Sequence, residues 1–196
     1  MNKTKSHKIG LYFGSFNPIH IGHMAIANYM LEFTDLDKVW FVISPHNPLK
    51  EKKSLLADYH RLEMVHLALE DEYDMRASDI EFKMPQPSYT IDSLTYISEK
   101  YPNDEFVVLM GGDSLASLPK WKNYQTLIEQ YQVYVYGRPG TEIQGDLPKN
   151  IKMFQAPQMA ISASFIRHAI KDGKNIRYFL PAKVWECIQL MHFYEK

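Results

Sequence analysis

Short, nearly continuous apolar runs alternate along this chain with longer segments whose apolar residues recur at helical spacing. Ile9-Gly10-Leu11-Tyr12-Phe13, Val39-Trp40-Phe41-Val42-Ile43, Phe106-Val107-Val108-Leu109-Met110 and Gln132-Val133-Tyr134-Val135-Tyr136 are apolar on both faces, as buried strands are. His23 to Phe33, Asp58 to Glu70, Ile91 to Lys100, Tyr124 to Gln130, Ser162 to Lys171 and Ala182 to His192 carry helical composition or spacing. This alternation predicts an α/β fold, a doubly wound parallel sheet with helices on both faces. The glycines and prolines of Pro139 to Asn150 mark a surface connection.

Composition bounds that picture. At 196 residues, 45% hydrophobic and 23% charged, the chain can bury one sizeable core, and one domain over 1–196 is expected. The formal net charge of -1, with scattered lysines and arginines, lacks the basic surface of a nucleic-acid binder. No apolar run approaches membrane-span length, so neither nucleic acid nor membrane is expected as a partner. Cys187 is the single cysteine, which excludes an internal disulfide and cysteine-based zinc spacing and points to a reducing, cytoplasmic setting.

In a doubly wound sheet, ligands bind beyond the carboxyl ends of the strands, where loops lead into helix N-termini. Four loops qualify: Gly14 to His23, Ser44 to Lys50, Gly111 to Trp121, and Ile161 to Arg167. In the first, His20 and His23 stand three apart at the start of a helix. There they can face one ligand and offer N–H donors to phosphate oxygens on which charge builds. Gly22 leaves no side chain between them, and Gly14 lets backbone approach a ligand. Taken alone, such a pair is more often structural than catalytic, and with no third ligand nearby in sequence a metal pair is disfavoured. In the last loop, Ser162 and Ser164 can cap a helix while Ser164 and Arg167 share a face, so dipole, hydroxyl and guanidinium converge on one spot. Between them, Tyr89 and Thr90 sit at a helix start whose free N–H groups suit a carboxylate, although Thr90 could equally be a cap. Gly111 and Asp113 follow a strand, where a carboxylate can meet ribose hydroxyls. Trp121 can stack on a flat ring or fill the core.

The string Gly14-Ser15-Phe16-Asn17-Pro18-Ile19-His20-Ile21-Gly22-His23 resembles the nucleotidyltransferases of the His-x-Gly-His type, which have a Rossmann-like fold. Ser15 and Asn17 stand where many members carry threonine and aspartate. The resemblance implies that His20 and His23 hold ATP phosphates and stabilise displacement at the α-phosphorus, with Gly14, Ser15 and Phe16 in the same ATP loop. Ile161-Ser162-Ala163-Ser164-Phe165-Ile166-Arg167 is similar to that superfamily's second phosphate element, and the tail at Tyr178, Leu180, Pro181 and Val184 is also similar. The part from about 162 to 196 is thereby expected to complete the ATP site.

Pro87-Ser88-Tyr89-Thr90-Ile91-Asp92-Ser93-Leu94, Gly111-Gly112-Asp113 and Leu118-Pro119-Lys120-Trp121 resemble the bacterial nicotinate-nucleotide adenylyltransferases. Arg61, Met64 and Gly137-Arg138-Pro139-Gly140 extend the likeness. Asn47-Pro48-Leu49-Lys50 departs from the Pro-Pro-His-Lys usual there. The resemblance implies transfer of AMP from ATP to nicotinate mononucleotide, with Asn47, Lys50, Tyr89, Thr90, Trp121 and Arg138 on the acceptor. Mg²⁺ would be carried mainly by the ATP phosphates. The rivals are adenylyl transfer to nicotinamide mononucleotide or phosphopantetheine, cytidylyl transfer, and a non-enzymatic nucleotide sensor.

Overall fold

The computed structural model describes residues 6–45, 55–137, 147–157 and 159–195. Along the chain run β1 (Lys8–Gly14), α1 (Ile21–Glu32), β2 (Lys38–Ile43), α2 (Asp58–Ala68), β3 (Met75–Ser78) and α3 (Thr90–Lys100). Then follow β4 (Glu105–Gly111), α4 (Gly112–Ser117), α5 (Tyr124–Gln130), β5 (Gln132–Tyr136), β6 (Ile151–Phe154), α6 (Ala163–Lys171) and α7 (Ala182–Leu190). Among the described residues the strands form one sheet of order β3-β2-β1-β4-β5-β6, with every neighbouring pair parallel.

The expected α/β, doubly wound architecture is present. Two of its strands have no counterpart in the sequence reading, β3 (Met-Arg-Ala-Ser) and β6 (Ile-Lys-Met-Phe). They are the two edges of the sheet. An edge strand is covered on fewer sides, so it needs no apolar run and leaves a weak pattern. The four inner strands are the four apolar runs.

Alternation along each strand sorts side chains between two cores. Tyr12, Val39, Phe41, Ile43, Val107, Leu109 and Tyr134 pack under α1, α2, α6 and α7 with Ala27, Met30, Met64, Val65, Ile166 and Val184. Ile9, Leu11, Trp40, Val42, Val108, Met110 and Val133 face the other way, onto Ile91, Leu94 and Ile97 of α3 and Leu127 of α5. Burying one such side chain stabilises by about 1.5–3 kcal/mol. Layer packing therefore outweighs the tenths of a kcal/mol by which ordinary residues differ in helix propensity.

The chain reverses direction across the sheet between β1 and β4, so the cleft for a ligand opens at their carboxyl ends. The loop leaving β1 is fixed there by Arg61 of α2, whose side chain is wholly buried. Its Nη1 donates to the carbonyls of Ser15 (2.6 Å) and Ser44 (2.9 Å), Nε to that of Leu56 (3.0 Å), and Nη2 to Pro45 O (3.3 Å) and Asp58 Oδ1 (2.6 Å). A guanidinium has five N–H donors in a rigid fork, and here each has an acceptor. A buried cation is tolerable only when satisfied in this way.

Replacing Arg61 with methionine leaves four backbone carbonyls without their donor. At about 1–3 kcal/mol for each buried group left unsatisfied, less what water recovers, urea unfolding is expected to show a loss of about 3 kcal/mol or more. A loss below about 1 kcal/mol would remove Arg61 from this role.

Candidate active site

The turn after β1 is built around Phe16. This residue takes a left-handed backbone (φ 43°), uncommon for a bulky side chain and held only where the surroundings enforce it. Its ring is 2% exposed and packs edge-on to Tyr12 (5.7 Å) and His23 (5.2 Å). The ring also lies across Gly14, where an added Cβ would come within 2.8 Å of it. The glycine expected to admit a ligand's backbone contact thus makes room for Phe16. Phe16, assigned to the ATP, buries its side chain, so its backbone is the part that faces the loop.

His20 is the N-cap of α1 and His23 lies one turn in, a helix start two residues earlier than the sequence spacing gives. Their rings stack at 3.7 Å with an interplanar angle of 23°. A Cβ at Gly22 would lie 3.1 Å from the His20 ring, so glycine gives that ring its room. The backbone N–H of His20 donates to Nδ1 of His23 (3.3 Å). In the neutral ring this places the His23 proton on Nε2. His20 is 5% exposed, and burial lowers its pKa to about 4, so it is neutral at pH 7. Its Nδ1 is screened from solvent and faces the first turn of α1, where His20 and His23 form a capping box.

Ser162 is the N-cap of α6, its Oγ accepting from Phe165 N–H at 3.1 Å. Ser164 is exposed, and its Oγ accepts from Arg167 Nη2 (3.2 Å). Arg167 Nη1 donates to the carbonyl of Asn17 at 2.8 Å, a contact spanning 150 residues of sequence. A Cβ at Gly22 would lie 4.0 Å from Ile161. The two phosphate elements read from sequence therefore adjoin each other. The guanidinium of Arg167 is tied to the histidine loop, not held out alone for a ligand.

At the carboxyl end of β4, Gly111 is the N-cap of α4 and Asp113 is in its first turn, exposed. The Tyr136 ring backs Gly111, 3.2 Å from where a Cβ would stand. The Tyr136 hydroxyl shares a hydrogen bond with Tyr12 (3.1 Å), and the Tyr12 ring meets His23 edge-on at 6.0 Å. Tyr136 and Tyr12 so connect the Gly111–Asp113 segment to the histidines.

Tyr89 occupies the N-cap of α3 without a side-chain cap, and Thr90 is the first helical residue, so Thr90 is not the cap. Lys122 Nζ lies 4.7 Å over the Tyr89 ring and pairs with Asp92 at 2.8 Å. Trp121 is half-buried against the second core, its Nε1 screened and unpartnered. Tyr89, Thr90 and Trp121 therefore lie on the α3 and α5 side of the sheet. Asn47, Lys50 and Arg138 lie outside the described residues.

Three residues that hold the site were absent from the sequence candidates. Glu81, 2% exposed, accepts from Ser88 Oγ (2.8 Å) and Ser93 Oγ (2.6 Å) and so braces the start of α3. Tyr136 backs Gly111. Tyr194, beyond α7, donates its hydroxyl to Asn17 Oδ1 at 2.9 Å. A glutamate between apolar neighbours with serines close by was a readable signal. The two tyrosines offered none, since their partners are distant in sequence.

A family model described as cytidylyltransferase-like matches residues 11–169. A protein of Flavobacterium johnsoniae named "Probable nicotinate-nucleotide adenylyltransferase" is 53% identical over 197 residues, covering 96% of this chain and 100% of that one. One of the same name from Flavobacterium psychrophilum is 52% identical, again over 96% of this chain and 100% of the relative. The fold is similar to that of a Plasmodium falciparum nicotinic acid mononucleotide adenylyltransferase complexed with NaAD. That likeness has a TM-score of 0.80 at 21% identity, over 96% of this chain and 98% of that one. The chain belongs to the cytidylyltransferase-like family and, within it, to the family of its flavobacterial relatives, the nicotinate-nucleotide adenylyltransferases.

Proposed function

We propose that the chain transfers AMP from ATP to nicotinate mononucleotide, releasing pyrophosphate and forming the dinucleotide precursor of NAD. The observation that carries this reading is the junction of the histidine loop with the start of α6, made by Arg167 on the Asn17 carbonyl. It brings two imidazoles, a serine-capped helix start and a guanidinium to one place, as a triphosphate requires. The names and identities of the flavobacterial relatives support the acceptor.

In this mechanism Gly14, Ser15 and the Phe16 backbone wrap the phosphates, while Ser162, Ser164 and Arg167 hold the leaving pyrophosphate. Gly111 and Asp113 receive the adenosine. Asn47, Lys50, Tyr89, Thr90, Trp121 and Arg138 serve the acceptor. The acceptor phosphate is anionic at neutral pH, so attack on the α-phosphorus needs no general base, and catalysis is positioning plus charge stabilisation. His20, neutral at pH 7, and His23 donate N–H to the oxygens that gain charge as the phosphorus–oxygen bond to pyrophosphate breaks. Among the described residues no three His, Cys, Asp or Glu stand together as a metal cage. The donor set of imidazoles, hydroxyls and guanidinium suits phosphate oxygens, and Mg²⁺ would arrive on ATP, held by phosphate and water. The whole of 1–196 acts as one unit in the cytoplasm, with 162–196 completing the ATP site. No helix among the described residues is long and apolar enough to cross a membrane.

Pyrophosphate release from ATP, measured with nicotinate mononucleotide, nicotinamide mononucleotide or phosphopantetheine, tests the acceptor. Nicotinate mononucleotide is expected to be the fastest, and release with phosphopantetheine alone would reverse the reading. His20→Asn and His23→Asn are each expected to lower kcat roughly a hundredfold, the loss of one oxyanion donor worth on the order of 3 kcal/mol. Near-normal turnover in both would remove the histidines from the chemistry.

Burial sets a pH dependence as well. His20 has a folded pKa of about 4 against about 6.5 in the unfolded chain, so the unfolded state takes up the proton first as pH falls. The neutral ring's contribution is complete above about pH 6.5 and is lost progressively towards pH 4. Between pH 7 and 5, wild-type unfolding free energy is expected to drop by about 1–2 kcal/mol more than that of His20→Asn. Equal drops in urea titrations at the two pH values would contradict this.

A further inference from the structure

Asn17 is 2% exposed and lies at the centre of the loop that carries the histidines. Its side-chain Oδ1 accepts from the backbone N–H of Leu56 (3.2 Å) and from the hydroxyl of Tyr194 (2.9 Å). Its carbonyl accepts from Arg167. Leu56 precedes α2 and Tyr194 follows α7, so three distant segments meet on one residue of the loop. We propose that Tyr194 is a positioning residue for adenylyl transfer, acting through Asn17 to hold the histidine loop in its phosphate-binding conformation.

The backbone at Tyr194 agrees with a fixed task. It is left-handed (φ 68°), as is that of His192 (φ 52°), a conformation that a bulky residue keeps when its surroundings over-determine it. Phe193 between them is buried in the first core and anchors the turn. Burial pushes the Tyr194 hydroxyl well above its ordinary pKa, while Arg167 and Arg61 oppose that rise. The hydroxyl therefore stays protonated and can always donate. Both arginines that fix the loop stand close enough to act on the same hydroxyl.

Asn17 matters here as a neutral acceptor. An amide oxygen can take both hydrogen bonds without introducing a charge at a buried position. Removing the Tyr194 hydroxyl while keeping its ring takes away one of them and leaves the packing of the turn in place. The loop would then sample orientations in which the His20 and His23 donors miss the phosphate oxygens, and small displacements at a reacting centre cost rate steeply.

This inference rests on the proposed adenylyl transfer for its kinetic readout, and a second readout is independent of it. Tyr194→Phe is expected to lower kcat five- to tenfold with the KM for nicotinate mononucleotide within twofold, and Tyr194→Met, which lacks both hydroxyl and ring, should lower kcat at least as far. In an Asn17→Ala background, Tyr194→Phe should cost nothing further, because the two act as one pair. Amide hydrogen exchange of the free protein should quicken across residues 15–20 and stay unchanged in β1 and β4. Additive losses in the double variant, wild-type kcat in both hydroxyl-less variants, or exchange that rises equally throughout the chain would each overturn the role. Inactive wild type with nicotinate mononucleotide would instead overturn the acceptor, and the exchange result would still decide on Tyr194.

Discussion

The structure turns on one buried guanidinium. Arg61 gives all five of its donors to acceptors on three separate stretches of chain: the loop leaving β1, the residues just after β2, and the segment that opens α2. The loops at the carboxyl edge of a parallel sheet have no ladder of their own, and their carbonyls need partners once buried. A single planar fork supplies those partners and fixes the spacing of the loops at the same time. Lysine could not, having three donors on a flexible stem.

With the loop fixed, its chemistry follows from burial and stacking. Phe16 turns its ring into the core and needs Gly14 to do so. That turn aims the chain so that His20 caps α1 and His23 stacks on it. Burial holds His20 neutral, and the hydrogen bond from the His20 backbone sets the tautomer of His23. Two imidazoles stacked at a helix N-terminus have their positions set before any ligand arrives, and preorganisation is the part of catalysis that a folded chain can supply in advance. Arg167 and Tyr194 reach the same loop from the far end of the sequence, so the start and finish of the chain are joined on Asn17.

Much of this was legible in the residues. The four inner strands announced themselves because burial on both faces demands continuous apolar runs. The edges β3 and β6 did not, because each is covered on fewer sides. The pair His20 and His23, and the group Ser162, Ser164 and Arg167, were found from local spacing at helix starts, and the fold brings the two together. Spacing gave no access to what depends on tertiary contact. The bond from Arg167 to Asn17, the two serines on Glu81 and the hydroxyl of Tyr194 on Asn17 all join residues whose proximity only the fold creates. For Thr90, local sequence allowed a cap and packing chose another geometry, with Tyr89 at that position.

The central claim is that the histidine loop and the start of α6 form one phosphate site held together by Arg61 and Arg167. It is tested most directly by a crystal structure of the protein with a non-hydrolysable ATP analogue. Phosphate oxygens are expected within hydrogen-bond distance of the imidazoles of His20 and His23 and of the α6 start at Ser162 to Ser164, with the Arg61 and Asn17 contacts unchanged. A triphosphate bound elsewhere, or bound only after the loop has left Arg61, would contradict it.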